Sequence, residues 1–379
     1  MENNAVKKRE ANLELLRIIA MIMVITLHYL GKGNALVYYE YFGNKVAPMP
    51  NIITAWFLEA ICYGATNIYV LISGYFMVTS TFRVEKGIKL WLQIFFYSAG
   101  IFLIFSLLGK VPQDISGIYW LGMFFTPSAS RHYWFATIYL IFYLFSPFLA
   151  LLARKLKKNQ LLVLIISLVL IFSKVWGDIL PFSNPMEDQG MGIAWFVTLF
   201  FIAAYIRLYV PEIKKKWIPV AVFVLCAVVM VAALLGFGFI ETTTGHLKNR
   251  QEFFYHYNSI PVLLMSVSAF LFFRSLKIKE GFFAKAICKI AGLTFGVYLI
   301  HEHFLLRDLW TTLWDVPFHF DKPYFIVHLF VTVLAVFTAC AIIEFVRLTV
   351  FNLIYKIKPV KWIFAKLSVI DKFFPTKNE

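Results

Sequence analysis

Residues 12–31 read NLELLRIIAMIMVITLHYLG. Twenty residues at about 1.5 Å each span roughly 30 Å, the depth of a bilayer's hydrocarbon core. The run is apolar apart from three ionisable groups, Glu14, Arg17 and His28. Lys7, Lys8 and Arg9 precede it, as they would in a secretory signal, but the interrupted run and the lack of a small-x-small cleavage site favour a retained first helix.

The rest of the chain repeats this pattern. Of 379 residues, 60% are hydrophobic and 15% charged, whereas soluble domains are roughly half apolar and about a quarter charged. Aromatic residues make up 18%, which excludes disorder. Further apolar runs lie at 52–77, 88–109, 133–153, 160–176, 191–209, 217–239, 259–274, 286–305 and 324–347. The expected fold is all-α: one polytopic transmembrane bundle of about ten helices over 10–350, with a basic tail over 351–379.

The formal charge of +15 would suggest nucleic acid in a soluble chain. Here 26 of the 36 basic residues fall on the side that also carries the amino terminus, and nine on the other. That asymmetry is the positive-inside signature, so both termini are expected in the cytoplasm and no nucleic-acid partner is expected. After Pro359, apolar positions Val360, Ile363, Phe364, Leu367, Ile370 and Phe374 recur at helical spacing. They predict an amphipathic helix on the inner membrane surface. Cys62, Cys226, Cys288 and Cys340 lie inside apolar runs without paired spacing, so neither a disulfide framework nor a metal site is expected.

Ionisable groups within a span cost several kcal/mol and usually face a cavity or a partner. Arg17 and His28 are eleven residues apart, about 20° beyond three full turns, so they share a stripe with His28 roughly 16 Å deeper. Glu14 lies one turn before Arg17 and could hold its guanidinium. A snorkelling arginine and an interhelical histidine hydrogen bond would explain each residue singly. Together on one stripe they point to a functional hollow.

The Arg17-IIAMIMVITL-His28 segment, preceded by Asn12-Leu13-Glu14-Leu15-Leu16, resembles the first-helix signature of the acyltransferase-3 membrane proteins, which acylate cell-surface glycans. Tyr69-Val-Leu-Ile-Ser73-Gly74-Tyr75, His132-Tyr133-Trp134-Phe135, the Tyr143-to-Pro147 stretch and Gly296-Val-Tyr298-Leu-Ile-His301 resemble further family segments in the family's order. One departure is Arg83-Val-Glu-Lys86, where some members carry arginine at both ends. A lysine there cannot make the same bidentate contact.

The resemblance implies transfer of an acetyl or other short acyl group from cytoplasmic acetyl-CoA to a hydroxyl of a surface or lipid-linked polysaccharide, in a bacterial plasma membrane. It implies no metal. His28 is then expected to act as general base or as covalent acyl carrier, with Arg17, nearer the cytoplasm, orienting the donor and Glu59 as partner to His28 or to a sugar hydroxyl. Arg17, Arg83, Lys86 and Ser73 are expected to meet the donor, and His132, Trp134, Tyr298 and His301 the acceptor. Asn67, Glu302 and His303 are further polar candidates for a tunnel. Trp134 equally suits an interfacial aromatic belt. With only a short basic tail after the last span, the chain is expected to acylate the glycan directly or to pass the group to a separate extracytoplasmic partner. The rival reading is a transporter or flippase of lipid-linked sugars, a class in which broken helices recur in corresponding halves. No such symmetry is visible in the sequence.

Overall fold

The computed structural model describes residues 9–32, 36, 49–111, 133–174, 188–247, 250 and 252–376. His132, most of the outer loop at 31–51 and most of the acidic turn at 177–190 lie outside them. The described elements are α1 (Ala11–Lys32), α2 (Met49–Cys62), α3 (Ala65–Met77), α4 (Val84–Leu107) and α5 (Trp134–Lys155). They continue with α6 (Lys158–Phe172), α7 (Ile193–Tyr209), α8 (Trp217–Thr244), α9 (Ile260–Arg274), α10 (Phe282–Ala291) and α11 (Thr294–His301). The chain then forms α12 (Phe304–Leu313), α13 (Val316–Phe320), α14 (Phe325–Ile354), α15 (Lys358–Leu367) and a 3-10 turn over Ser368–Phe373. No strand occurs among the described residues. Seven spans there are long and apolar enough to cross a membrane, and the shorter apolar helices α6, α7 and α9 complete the ten segments expected from hydropathy.

Two expected spans are broken. Gly64 ends α2, and a Cβ there would stand 2.8 Å from the Ser266 hydroxyl. That hydroxyl donates to the Val262 carbonyl at 2.7 Å and shares its proton with the Gly64 carbonyl at 3.2 Å, so the break seats α9 against the α2–α3 joint. The second break, at Gly292–Leu293, separates α10 from α11, and Thr294 Oγ1 donates to the Ala291 carbonyl. In the opposite direction, α14 runs seven residues beyond the expected end of the last span. The helices α12 and α13 stand where hydropathy suggested only loop.

The contacts at the two ends of the bundle separate the basic segments from the others. At one end Arg207 pairs with Glu10 at 3.4 Å, Asn12 donates to the Phe273 and Arg274 carbonyls, and Arg9 donates to the Cys288 carbonyl. Asp371 caps the Val84 amide and Arg154 reaches the Thr376 carbonyl at the same end. At the opposite end Asn51 binds the Phe320 and Lys322 carbonyls, and Asn258 binds the Phe172 carbonyl. The first helix runs between these ends through the middle of the bundle, against α2, α3, α9, α10, α11, α12 and α14. Its central position explains how its few polar side chains avoid lipid.

Candidate active site

Arg17 emerges from α1 near the basic end. Its Nη1 donates to Glu14 Oε2 at 3.1 Å, as the i,i+3 spacing predicts. The same carboxylate also receives Arg9 Nε at 2.9 Å and Nη2 at 2.7 Å, so Glu14 bridges two guanidinium groups. Arg17 lines a cavity of about 230 Å³ with Ser73, Phe82, Lys86, Tyr139 and Tyr143. Pro147 in α5 helps form that cavity. Proline has no N–H for the carbonyl four residues earlier, which is that of Tyr143, and Ser146 Oγ donates to this carbonyl at 2.7 Å. Arg83 does not line the cavity; its side chain is exposed.

His28 sits on the same stripe but opens into a different hollow. This second cavity, of about 40 Å³, is lined by His28, Tyr69, Trp134, Tyr257, Tyr298, Glu302 and apolar neighbours. The expectation of one hollow shared by Arg17 and His28 is therefore corrected to two chambers stacked along α1, α3 and α5. Tyr69 lines the outer chamber and Ser73, one turn along α3, the inner; Phe135 and Tyr139 repeat the relation on α5. The partition is thus about one helical turn, roughly 5.4 Å, thick. It is aromatic: Phe135 stacks on Tyr139 at 5.7 Å and meets Tyr69 at 6.1 Å, and Tyr139 meets Phe295 at 6.2 Å. The Tyr139 hydroxyl reaches Ser73 Oγ at 3.0 Å, and Ser73 Oγ also bonds the Tyr69 carbonyl.

The imidazole of His28 is oriented from behind. His301 Nδ1 lies 2.6 Å from the Val297 carbonyl, which can only accept, so that nitrogen carries the proton. His301 Nε2 in the neutral ring is then an acceptor, and it lies 3.0 Å from His28 Nδ1. His28 therefore donates from Nδ1 and keeps the Nε2 lone pair free. The Glu302 carboxylate stands beside this pair, with Oε2 3.1 Å from His28 Nδ1 and Oε1 3.3 Å from Arg307. Oε2 is buried and takes part in no other contact, so this carboxyl faces the imidazole. The Tyr298 hydroxyl is also buried without a partner and lines the same chamber.

Several expected residues move in this arrangement. Glu59 makes no bond to His28; it is buried with Oε2 unpartnered, and the carboxylate at His28 is that of Glu302 instead. The two carboxyls occupy comparable depths in their spans, and only the packing of α11 against α1 decides between them. His301 is 1% exposed and stands behind His28 rather than on the acceptor side. Trp134 and Tyr298 do line the His28 chamber. Asn67 is fully buried, donating to the Tyr257 carbonyl at 2.7 Å and accepting from Trp195 Nε1 at 3.1 Å, so it anchors the outer loop rather than lining a tunnel. His303 caps α12 through the Leu305 amide. Arg9 and Arg307 each brace a carboxylate five residues away, Glu14 and Glu302, and Arg9 also reaches the distant Cys288 carbonyl.

At the outer end His256 accepts a hydrogen bond from the Lys174 ammonium. Burial, reinforced by that cation, lowers the His256 pKa to about 4. Burial raises the Glu252 carboxyl above its usual range. Tyr257 joins this loop to the chamber, with its ring 5.6 Å from Trp134 and 5.0 Å from Tyr63.

A family profile for an acyltransferase domain, Acyl_transf_3, matches residues 10–344. No curated protein and no solved structure matches the chain. The matched stretch covers nearly the whole bundle and contains both chambers, and the chain belongs to the acyltransferase-3 family of membrane acyltransferases.

Proposed function

We propose that this protein transfers an acetyl group from cytoplasmic acetyl-CoA to a hydroxyl of a surface or lipid-linked polysaccharide, in a bacterial plasma membrane. The observation that carries the reading is the free Nε2 of His28, whose tautomer His301 fixes, on a residue that lines the outer chamber. Neutral imidazole is the side chain whose basicity suits proton transfer near neutral pH.

The donor enters from the basic end. Lys86 and Arg17 at the inner cavity attract its phosphates, and Arg83 adds charge at the surface. The pantetheine arm passes Ser73 and displaces the Tyr139 ring to bring the thioester to His28. The acceptor hydroxyl arrives from the Trp134–Tyr257 side. His28 Nε2 takes its proton while the oxygen attacks the thioester carbonyl carbon. The C–O bond forms, the C–S bond breaks, and the departing CoA thiolate recovers the proton from the imidazolium. Tyr298 donates a hydrogen bond to the carbonyl oxygen as it gains charge, and the Glu302 carboxylate stabilises the imidazolium. The same lone pair serves an acyl-imidazole route, in which His28 attacks first and the hydroxyl displaces it. The glycan is acylated directly or through a separate extracytoplasmic carrier.

Purified protein incubated with radiolabelled acetyl-CoA and the host's surface glycan tests the reading. Wild type is expected to label the glycan, and His28→Ala to lose about 10²-fold or more of the rate. Arg17→Ala is expected to raise the KM for acetyl-CoA. A lipid-linked sugar transporter would leave all label on CoA. The helix breaks do not favour that rival, because they fall in the second and ninth spans rather than in corresponding positions of two halves.

A further inference from the structure

The outer chamber holds very little. Its space of about 40 Å³ is small beside the inner cavity's 230 Å³. An acetyl group has three non-hydrogen atoms: the methyl carbon, the carbonyl carbon and its oxygen. The walls nearest His28 are closed by carbon. Val24 lies one turn before His28 on α1, Leu27 beside it, and Phe295 faces them from α11. Leu27 is buried, and Phe295 is fixed between Tyr139 at 6.2 Å and Tyr298 at 6.1 Å. The polar part of the lining includes the Glu302 carboxylate, whose Oε2 is buried and unpartnered.

We infer that this chamber is a ruler for the acyl group, in which Val24, Leu27 and Phe295 admit a two-carbon chain and exclude longer ones. The inference rests on the acyl-CoA reading above and adds the residues that set the donor's acyl class. With the thioester carbon at His28 and its oxygen at Tyr298, the methyl group lies against Val24, Leu27 and Phe295. Each further methylene must displace Val24 or Phe295. The chemical step is unchanged: the hydroxyl oxygen replaces sulfur on the carbonyl carbon, and CoA leaves as the thiol.

The test is a donor panel of acetyl-, propionyl- and butyryl-CoA at fixed acceptor, on wild type and on Val24→Ala and Phe295→Val separately. Wild type is expected to favour acetyl over butyryl by at least 10²-fold in kcat/KM. In each variant the butyryl-to-acetyl ratio is expected to rise tenfold or more, in line with the worth of one or two methylenes in an apolar pocket. Equal use of acetyl and butyryl by wild type overturns the ruler while leaving acyl transfer intact. A ratio that stays fixed in both variants does the same. No transfer from any CoA ester in wild type overturns the acyl-CoA reading itself.

Discussion

At the scale of single residues, the chemistry rests on which nitrogen of His28 is free, and that is decided by His301. Its bond to the Val297 carbonyl assigns one proton, and the 3.0 Å contact between the two rings assigns the next. His301→Ala should leave His28 free to adopt the wrong tautomer. The expected loss in kcat is about 10²-fold with KM for the donor unchanged, smaller than for His28→Ala; loss through KM alone would place His301 on the substrate instead. Glu302→Gln keeps the shape and removes the charge beside the imidazole, and kcat is expected to fall about tenfold or more, with stability near wild type. Much of this site was legible in the sequence. Arg17, His28 and the Glu14 brace follow from helical spacing alone, because all three lie within fifteen residues on one helix. Glu302 could not be ranked above Glu59, since its partner lies 274 residues away and their meeting depends on how α11 packs.

At the scale of elements, two polar devices hold helices in place. Glu344 and Arg347 on α14 pair at 2.6 Å, and Tyr97 and Gln93 on α4 donate to the same carboxylate. A Cβ at Gly296 would overlap that carboxyl, so glycine lets α11 close on α14. Glu344→Ala leaves a buried guanidinium without its partner and is expected to destabilise the bundle by about 3–5 kcal/mol, read from thermal unfolding in detergent. The second device is the His256–Lys174 contact at the outer loop. With the folded-state pKa at about 4 and the unfolded value near 6.5, the unfolded loop binds a proton first as pH falls. The loop's hold is therefore complete above about pH 6.5 and weakens towards pH 4. Hydrogen exchange over residues 252–258, corrected for intrinsic rate, should rise across that interval, and Lys174→Met should narrow the rise. An exchange rate indifferent to pH there would remove the loop's dependence on neutral His256. The spans themselves could be read from hydropathy, but the breaks at Gly64 and Gly292 could not. A glycine inside an apolar run looks the same whether its helix continues or stops, and only the Ser266 hydroxyl and the α10–α11 turn show which.

At the scale of the molecule, the two chambers give the reaction a direction. Arg17 and Lys86 line the one nearer the basic end, His28 the one nearer the end that carries Tyr257, and an aromatic layer one turn thick lies between them. If the positive-inside rule sets orientation, the basic end faces the cytoplasm and CoA meets the inner chamber without crossing the membrane. Cys62, Cys226 and Cys340 are buried, and Cys288 is partly exposed, so a Cys288→Ala background leaves little native thiol to react. In that background Lys86→Cys should be labelled by a membrane-impermeant maleimide in inverted vesicles and spared in intact cells. His246→Cys, exposed beyond the end of α8, should show the reverse. Added CoA should slow labelling at position 86 and leave position 246 unaffected, because the proposed donor path seats the phosphates at the inner mouth, on the near side of the partition. Labelling of position 86 from outside would invert the bundle. The donor would then have to reach His28 from the side assigned to the glycan, and the stacked chambers would lose their order.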